Sequence, residues 1–289
     1  LNITNRDNGS AYNKYSTAEL YRMNLDDPGF NKVLKTIEKI SDFQQFGYRK
    51  TYLNRRISIR MRATGSKNYA EYDNYLKRNH DEIKVLLDKL TVNVTSFFRN
   101  IDVFEEIEKL VKQEFYSRDD KINVWSAGSS EGREAYSLAM IFKKVLGEKA
   151  KNVRIIGTDI DDLKINTGRK GIFLINSHDG LKKDIPKCAY KYINKQENNI
   201  IISDDIKQMV RFKHHDLIKE KPLKRMDMVT CRNLLIYIEK NCQVKAISNI
   251  HESLKEGGFL ILGKTESIPL EIKNLFKPID LRNRIFVKA

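Results

Sequence analysis

A loop of small residues between a strand and a helix is the part of the sequence with the clearest chemical potential. An apolar strand ends at Ala127, mostly small side chains follow at 128–132, and a helical pattern begins near Glu131. Because small side chains leave the backbone accessible, a nucleotide-like ligand can lie against such a turn. A second apolar strand, 153–158, ends on Asp159, whose carboxylate can accept hydrogen bonds from two ribose hydroxyls. The two strand ends together predict a site for a ligand that contains adenosine.

The spacing inside the loop narrows the choice of ligand. Residues 128–132 lack the G-x-G-x-x-G spacing of dinucleotide sites, and no Lys precedes a Ser or Thr as in a P-loop. A ligand with adenosine but without a pyrophosphate remains, and S-adenosylmethionine fits that description. A tight turn, and a cap by Asp159 on a helix that starts near Asp161, would explain each feature separately. The combination favours the nucleotide site.

Composition and charge limit the function classes. The chain has 289 residues, 40% of them hydrophobic, which is enough for one large or two modest domains. A net charge of +15 predicts an acidic partner: nucleic acid, an anionic membrane or an acidic protein surface. No apolar run approaches the roughly 20 residues of a membrane span, and no signal-peptide pattern is visible.

The cysteines and histidines predict neither a disulfide framework nor a metal site. Cys188, Cys231 and Cys242 are odd in number and form no C-x-x-C pair, which favours a reducing compartment. His214 and His215 are adjacent and would point to opposite faces of a strand, so no shared metal ion is expected.

Hydrophobic patterns divide the chain into segments. Residues 1–25 are polar and are expected to form a loose arm, and residues 26–92 show stripes typical of a small all-α domain. From residue 93 to residue 289 strands and helices alternate, which predicts a doubly wound, Rossmann-like α/β sheet. Short strands at 186–213 predict a small antiparallel β flap inserted in that domain. Sheet strands are expected at 122–126, 153–158, 209–213, 226–230, 258–262 and 284–288.

The helical domain contains one unusually basic helix. Pro28 is expected in the first turn of another helix and Asp81 at an N-cap. Residues 48–62 include basic side chains but no acid, and Tyr52 and Ile59, with Leu53 or Ile57 as further candidates, are expected to face inward. Because like charges one turn apart repel by a few tenths of a kcal/mol, this face is expected to bind a partner. Its basic residues are Arg49, Lys50, Arg55, Arg56, Arg60 and Arg62.

Four segments, in this order and at these separations, resemble one enzyme family. They read NVTSFFR at 93–99, SAGSSEGREAYS at 126–137, GTDID at 157–161 and CRNLLIY at 231–237. The joint pattern is similar to the CheR family of chemoreceptor glutamate methyltransferases, from about residue 30 to the C-terminus. The resemblance implies a methyltransferase sheet. It also implies methyl transfer from S-adenosylmethionine to receptor glutamates, giving methyl esters and S-adenosylhomocysteine.

Carried over residue by residue, the resemblance implies a cofactor pocket built from several loops. Its members are Asn93, Thr95, Arg99, Ala127, Glu134, Asp159, Asp216, Leu217, Arg232 and Asn233. The first three would line the methionine end of the cofactor, and the last two would close the pocket. Glu134 would hold the cofactor's amino group, and Asp159 its ribose. Where the family usually has an Asn-Leu pair, this chain has Asp216-Leu217, so a contact through an amide NH₂ would be lost.

Two residues are expected to act in the transfer step itself. In-line methyl transfer requires an aligned, ionised carboxylate rather than a proton-shuttling base. Arg99 is therefore expected to hold the substrate carboxylate with its fork of N–H donors. Tyr237 is expected to donate a hydrogen bond or to pack near the methyl group. Without the motif, Tyr237 would be interpreted as a half-buried core residue and Arg99 as a surface ion pair.

The resemblance also implies partners and a setting. Methylation helices of chemoreceptors are expected to dock on the basic helix. The protein is expected to be a cytoplasmic monomer recruited to receptor arrays, without metal, nucleic acid or membrane insertion. The charge favours a nucleic-acid methyltransferase as one alternative, but residues 230–233 read Thr-Cys-Arg-Asn, without the prolines of amino-group enzymes. A non-catalytic receptor-docking scaffold is the other alternative, which the presence of the expected catalytic residues disfavours.

In some members of the resembled family the flap adds a receptor's C-terminal pentapeptide as an extra strand. Those members carry a Gly-rich turn between the first two flap strands. The corresponding connection in this chain, 194–199, is short and contains no Gly. Because glycines let one backbone approach another closely, their absence predicts a pentapeptide-independent enzyme that docks through its helical domain alone.

Overall fold

The structure is a computed structural model that describes residues 27–41, 43, 45–90, 95–175 and 186–289. The predicted arm at 1–25 and the predicted cofactor residue Asn93 lie outside the described residues. The chain divides into two compact units: a helical unit, Leu1–Val92, and a sheet unit, Asn93–Ala289.

The described part of the helical unit contains α1 (Pro28–Ile40), α2 (Lys50–Ala63), α3 (Tyr69–Arg78) and α4 (His80–Leu90). Pro28 is the first residue of α1, as predicted, and the Asp27 carboxylate accepts a hydrogen bond from the Gly29 amide at 2.6 Å. The N-cap prediction for Asp81 is wrong. Helix α4 begins at His80, so Asp81 lies inside its first turn, where an acid still favours the helix dipole.

The buried face of α2 includes three of the predicted residues but not Ile59. Tyr52, Leu53, Ile57 and Met61 are buried, whereas Ile59 is 38% exposed, so the inward prediction for Ile59 is wrong. Ile57 and Ile59 lie two positions apart, about 200° around a helix, and only one of them can face the core.

The sheet unit is built on seven strands that form one sheet. They are β1 (Ile122–Ala127), β2 (Val153–Asp159), β6 (Val210–His214), β7 (Met226–Cys231), β8 (Leu254–Leu262), β9 (Phe276–Asp280) and β10 (Ile285–Lys288). The strand order is β6-β2-β1-β7-β8-β10-β9, with β10 antiparallel to both of its neighbours. The sequence pattern misses β9, which contains Pro278 and lies at the edge of the sheet, where a missing N–H is tolerated.

Helices cover both faces of this sheet, and the predicted doubly wound architecture is confirmed. The helices of the sheet unit are α5 (Ile101–Glu114), α6 (Arg133–Leu146), α7 (Asp162–Lys170), the single turn α8 (Asp204–Lys207) and α9 (Lys240–Ser253). Successive residues of β1 point to opposite faces. Val124 belongs to the apolar core that includes α5 and α6, and Trp125 belongs to the core that includes α9.

The predicted flap forms, but with a different third strand. A separate antiparallel sheet contains β3 (Ile172–Leu174), β4 (Ile193–Gln196) and β5 (Asn199–Ile202), in the order β3-β5-β4. The assignment of residues 209–212 to the flap is wrong, because β6 pairs with β2 in the main sheet. The reason is burial: the Phe212 ring lies so close to Gly157 of β2 that a Cβ there would be 2.6 Å away.

Candidate active site

The strand order reverses between β1 and β7, and the carboxyl ends of these two strands define the candidate active site. Glu134, in the first turn of α6, joins both ends. Its Oε1 accepts hydrogen bonds from the hydroxyls of Ser126 on β1 (2.8 Å) and Thr230 on β7 (2.6 Å). Sequence reasoning missed both hydroxyls; a polar residue near the end of an otherwise buried strand is the signal that marks them.

Arg232, directly after β7, ties Glu134 to the loop that precedes α5. Its Nη1 donates to Glu134 Oε2 at 3.1 Å, and its Nη2 donates to the Arg99 carbonyl at 2.7 Å and to Asn100 Oδ1 at 3.2 Å. The guanidinium is buried and lies over the Phe104 ring, 5.1 Å from its centroid. The structure thus brings together the predicted residues Arg99, Glu134 and Arg232 through one hydrogen-bonded network.

The Glu134 carboxylate keeps capacity for a ligand. Among the described residues, three side chains donate hydrogen bonds to it: Ser126, Thr230 and Arg232. A carboxylate has about four acceptor positions. The Glu134 side chain is 15% exposed, so a ligand can reach it. An ammonium group on a ligand would find here a fixed anion whose orientation is already determined by two strands.

Asp159 ends β2 and connects it to the small-residue loop. Its Oδ2 accepts a hydrogen bond from the Ser130 amide at 2.8 Å, and its Oδ1 accepts one from the Asp161 amide at 3.1 Å. The helix cap considered for Asp159 belongs to Asp161, which accepts from the amides of Leu163 and Lys164. Burial raises the pKa of Asp159, and the backbone hydrogen bonds oppose that rise. A half-buried acceptor in this position fits the predicted ribose contact.

The loop between β1 and α6 has a backbone that side chains would obstruct. Gly128 and Ser130 have φ values of +70° and +50°. A Cβ on Gly128 would lie 2.8 Å from the Leu234 side chain, so the position requires glycine. The buried hydroxyl oxygens of Ser129 and Ser130 find no hydrogen-bond partner among the described residues. A ligand rich in hydrogen-bonding groups, such as S-adenosylmethionine, fits this loop.

The other predicted cofactor positions have simpler surroundings. Thr95 is half-buried in the segment before α5, and Ala127 is buried at the end of β1. Asp216 accepts hydrogen bonds through Oδ1 from the amides two and three residues further on, at 2.8 and 3.0 Å. An Asn carbonyl would accept the same bonds, so the Asp preserves this turn. Leu217 is buried in the core shared with Ala127.

Asn233 and Tyr237 lie on a turn held by Glu266, a residue that sequence reasoning missed. Asn233 has a φ of +60°, and Tyr237 is half-buried at the end of the 3₁₀ turn Leu235–Tyr237. Glu266 is 3% exposed and accepts hydrogen bonds from backbone amides of this turn. The signal that could have found it is an acid four positions after the apolar run 258–262, at the carboxyl end of a parallel strand.

In the helical unit, one predicted receptor-binding arginine is engaged internally. Arg60 forms a bidentate ion pair with Glu82 of α4, with distances of 2.9 Å from Nε to Oε1 and 2.7 Å from Nη2 to Oε2. The Arg60 side chain is 18% exposed and that of Glu82 is 6% exposed. Helix α2 lacks an acid of its own because α4 provides it. The Arg60 side chain is therefore already paired within the helical unit, and its predicted receptor contact stays a prediction.

The other arginines of α2 divide into two groups. Arg55 and Arg62 are exposed and share one side of the helix with Ile59, at a spacing of three and four residues. We call these three residues the exposed basic face. Arg49 and Arg56 are half-buried. The Arg56 guanidinium lies over the Tyr52 ring, 5.4 Å from its centroid. The receptor contact of Arg49 and Arg56 stays a prediction.

Several other kinds of site can be assessed. No group of three or more His, Cys, Asp or Glu side chains in the described ranges could hold a metal ion. Within the same ranges, no helix has the length and apolar character needed to cross a membrane. Cys231 is buried, and burial raises the pKa of its thiol, so it does not resemble a thiolate nucleophile.

Comparison with known families adds independent evidence. The family described as CheR methyltransferase, SAM binding domain, matches residues 93–285. The family described as CheR methyltransferase, all-alpha domain, matches residues 28–91. Both matches agree with the range of the resemblance noted from the sequence motifs, from about residue 30 to the C-terminus.

Three relatives show the extent of the similarity. The chain is 29% identical over 258 residues to the chemotaxis protein methyltransferase of Borreliella burgdorferi, covering 85% of this chain and 90% of that protein. It is 29% identical over 222 residues to the one from Listeria monocytogenes, covering 76% and 83%. It is also 28% identical over 261 residues to an uncharacterised 104.1 kDa protein of Rhodobacter capsulatus, covering 88% of this chain and 27% of that protein. The chain thus spans about a quarter of this last relative.

Proposed function

Because the chain belongs to the CheR methyltransferase family, we propose that it transfers methyl groups from S-adenosylmethionine to glutamate carboxylates of chemoreceptors. The products are glutamate methyl esters and S-adenosylhomocysteine. The observation that carries the proposal is the Glu134 network, which links Arg99 and Arg232 at the point where the strand order reverses. The relatives named chemotaxis protein methyltransferase support the choice of receptor glutamates as substrate.

The residues present fit S-adenosylmethionine. Glu134 would hold the amino group, Asp159 would accept hydrogen bonds from the ribose, and the backbone at Gly128 would lie beside the nucleoside. When bound, S-adenosylmethionine supplies a methyl group that is activated by the positive charge on its sulfur. The protein therefore needs to provide alignment more than acid or base chemistry.

Arg99 would orient the substrate glutamate. Its carbonyl accepts a hydrogen bond from Arg232 Nη2 at 2.7 Å, which connects its backbone to the Glu134 network. A guanidinium matches a carboxylate with two parallel N–H donors. A glutamate with an ordinary pKa of about 4.3 is already ionised at neutral pH, so Arg99 has no proton to remove. Tyr237 would donate a hydrogen bond to the same carboxylate or pack beside the methyl group.

The receptor would dock on the helical unit. The exposed basic face, Arg55, Ile59 and Arg62, combines two cations with one apolar side chain. Acidic methylation helices of a receptor would match such a face in charge and in apolar contact. The protein would act in the cytoplasm at membrane-bound receptor arrays.

The flap would not be needed for docking. Strands β4 and β5 are joined by a turn of two residues, Glu197 and Asn198, between the paired residues Gln196 and Asn199. Glu197 adopts a φ of +50° without being glycine. A turn this short leaves little loop with which to enclose a peptide, which supports a pentapeptide-independent enzyme. Calorimetric titration with a receptor C-terminal pentapeptide tests this, and saturable micromolar binding would contradict it.

Transfer of label decides the main proposal. The full chain is incubated with methyl-labelled S-adenosylmethionine and either a receptor cytoplasmic fragment, DNA or RNA. We expect base-labile label on the receptor fragment, because methyl esters hydrolyse readily in base. Label on nucleic acid would support the alternative enzyme class, and label on neither substrate would favour a scaffold.

A further inference from the structure

Glu266 is held in a way that ordinary surface acids are not. Its Oε2 accepts hydrogen bonds from the amides of Asn233 at 2.8 Å and Gly263 at 2.7 Å. Its Oε1 accepts from the amides of Leu235 at 2.7 Å and Ile236 at 3.4 Å. One buried carboxylate thus binds the loop after β8 and the turn after β7.

The turn after β7 depends on such support because its backbone is unusual. Asn233 has a φ of +60°, a left-handed conformation that is costly for a residue with a Cβ. The chain brings the carboxylate close by means of Gly263, where a Cβ would lie 2.5 Å from Glu266 Oε2. On the other side, Gln243 Nε2 donates to the carbonyls of Leu235 and Ile238, both at 2.9 Å. Two side chains therefore satisfy the polar groups of one turn from opposite directions.

We propose that Glu266 is a positioning residue for methyl transfer, which holds the turn after β7 so that Tyr237 is presented to the reacting groups. This inference rests on the proposed function, because Tyr237 matters only if the site transfers a methyl group. Glu266 itself need not touch cofactor or substrate. Its role is to bind amides on both sides of the strained Asn233 position.

The substitution Glu266→Gln tests the role without changing the shape of the side chain. A Gln amide offers one oxygen and one NH₂, so one of the two pairs of backbone amides would face a donor instead of an acceptor. Glu271→Gln is the matched control, because Glu271 is exposed and lies five positions away. Amide hydrogen exchange at residues 233–237 measures how well the turn is protected. A double-mutant cycle with Tyr237→Phe measures whether Glu266 and Tyr237 affect turnover together.

The expected results are specific. Glu266→Gln should speed exchange at 233–237 by about tenfold or more, since buried amides lose their acceptor, and Glu271→Gln should not. Turnover should fall by about tenfold, and the falls caused by Glu266→Gln and Tyr237→Phe should not multiply in the double variant. Unchanged exchange, or independent effects of the two substitutions, would overturn the positioning role.

The same measurements separate this inference from the proposed function. If wild-type protein forms no methyl ester on the receptor fragment, the proposed substrate is wrong, and the exchange data still decide whether Glu266 holds the turn. A positioning role for methyl transfer is then also overturned. If wild-type protein forms the ester and Glu266→Gln turns over equally fast, only the positioning role fails.

Discussion

Two acids of the helical unit and two acids of the sheet unit are held by different kinds of partner. In the helical unit, Asp73 and Glu82 contact lysine and arginine side chains, at 2.6 and 2.7 Å. In the sheet unit, Asp159 and Glu266 accept hydrogen bonds from backbone amides instead. Amides satisfy a carboxylate without adding a full positive charge.

The pairs in the helical unit connect helices. Glu82 of α4 binds Arg60 of α2 and accepts a hydrogen bond from the Tyr72 hydroxyl of α3 at 2.8 Å. Asp73 of α3 accepts a hydrogen bond from Thr36 of α1. Each buried acid therefore has its charge balanced within the unit. These acids hold the unit together and have little charge left to attract a ligand.

In the sheet unit, Asp159 and Glu266 shape loops. Burial raises the pKa of both Asp159 and Glu266. Burial acts in the same direction on Asp73, but hydrogen bonds from Lys77 and Thr36 lower the pKa of Asp73 overall. The comparison teaches that the cation-paired Asp73 and Glu82 connect helices, whereas the amide-bound Asp159 and Glu266 shape loops of the candidate site.

The largest expected effect lies in the helical unit. Glu82→Ala leaves the Arg60 guanidinium and the Tyr72 hydroxyl without their acceptor, which should lower the free energy of unfolding by about 3–5 kcal/mol. Urea denaturation followed by circular dichroism measures the loss, with the exposed Asp81→Ala as control. A loss below about 1 kcal/mol would show that the pair is no stronger than a surface ion pair.

The second effect separates chemistry from binding. Arg99→Ala should reduce turnover at saturating substrates by about 100-fold, because the substrate carboxylate loses its orientation. Affinity for S-adenosylhomocysteine, measured by calorimetry, should change much less than turnover. Arg211→Ala is the control, since Arg211 is exposed and donates to backbone carbonyls. Wild-type turnover in Arg99→Ala would rule out its catalytic role.

The third effect concerns the cofactor. Asp159→Ala and Glu134→Ala should each weaken binding of S-adenosylhomocysteine by about 5- to 150-fold, equivalent to about 1–3 kcal/mol for unpaired polar groups. The exposed Asp204→Ala should leave affinity unchanged. Equal affinities in all four proteins would mean that Asp159 and Glu134 do not bind the cofactor.

The fourth effect tests the exposed basic face of α2. Replacing Arg55 and Arg62 by Glu should weaken binding of a receptor fragment by roughly tenfold and reduce its salt dependence. Cofactor affinity should not change. The same salt dependence before and after charge reversal, measured by titration at several ionic strengths, would place the docking surface elsewhere.

The smallest effect is that Asp73 and Asp159 should change the free energy of unfolding in opposite directions as the pH falls. Because the pKa of Asp73 is lowered in the folded protein, its ionised carboxylate stabilises the fold at pH values above the unfolded pKa of 3.8. This contribution is lost as the pH falls below 3.8 and through the lower pKa of the folded protein. The raised pKa of Asp159 has the opposite consequence, so its contribution becomes more favourable as the pH falls from neutral. Unfolding of Asp73→Asn and Asp159→Asn, each compared with wild type between neutral and acidic pH, should show opposite slopes. Parallel slopes would contradict the comparison.

Much of the fold could be predicted because burial patterns are local. Six strands of the main sheet lie close to their predicted positions, since runs of apolar residues and their period identify such elements. The pairing of strands was harder. Residues 172–174 join the flap, and β6 joins the main sheet, through partners that are distant in the chain. A local sequence pattern does not determine which neighbouring strand a given strand pairs with.

Some residues of the candidate site could likewise be identified from the sequence, and others could not. Glu134 and Asp159 could be identified because position after a strand places a side chain at the carboxyl edge of the sheet. The ion pair of Arg60 could not be predicted because its partner Glu82 lies 22 residues away on another helix. Glu266 was missed because the amides it binds at Asn233 and Leu235 lie 33 and 31 residues away.

The amino-acid sequence alone was sufficient for the fold class, the family resemblance and the residues at the strand ends. Those properties follow from the periodicity of apolar residues within each segment and from motifs defined by residue type and spacing. Only the tertiary structure decided which charges are paired, which strand borders which, and that Arg232 and Glu266 hold the loops of the site. The physical reason is that electrostatic and hydrogen-bond partners are chosen by distance in space, which the folded chain alone defines.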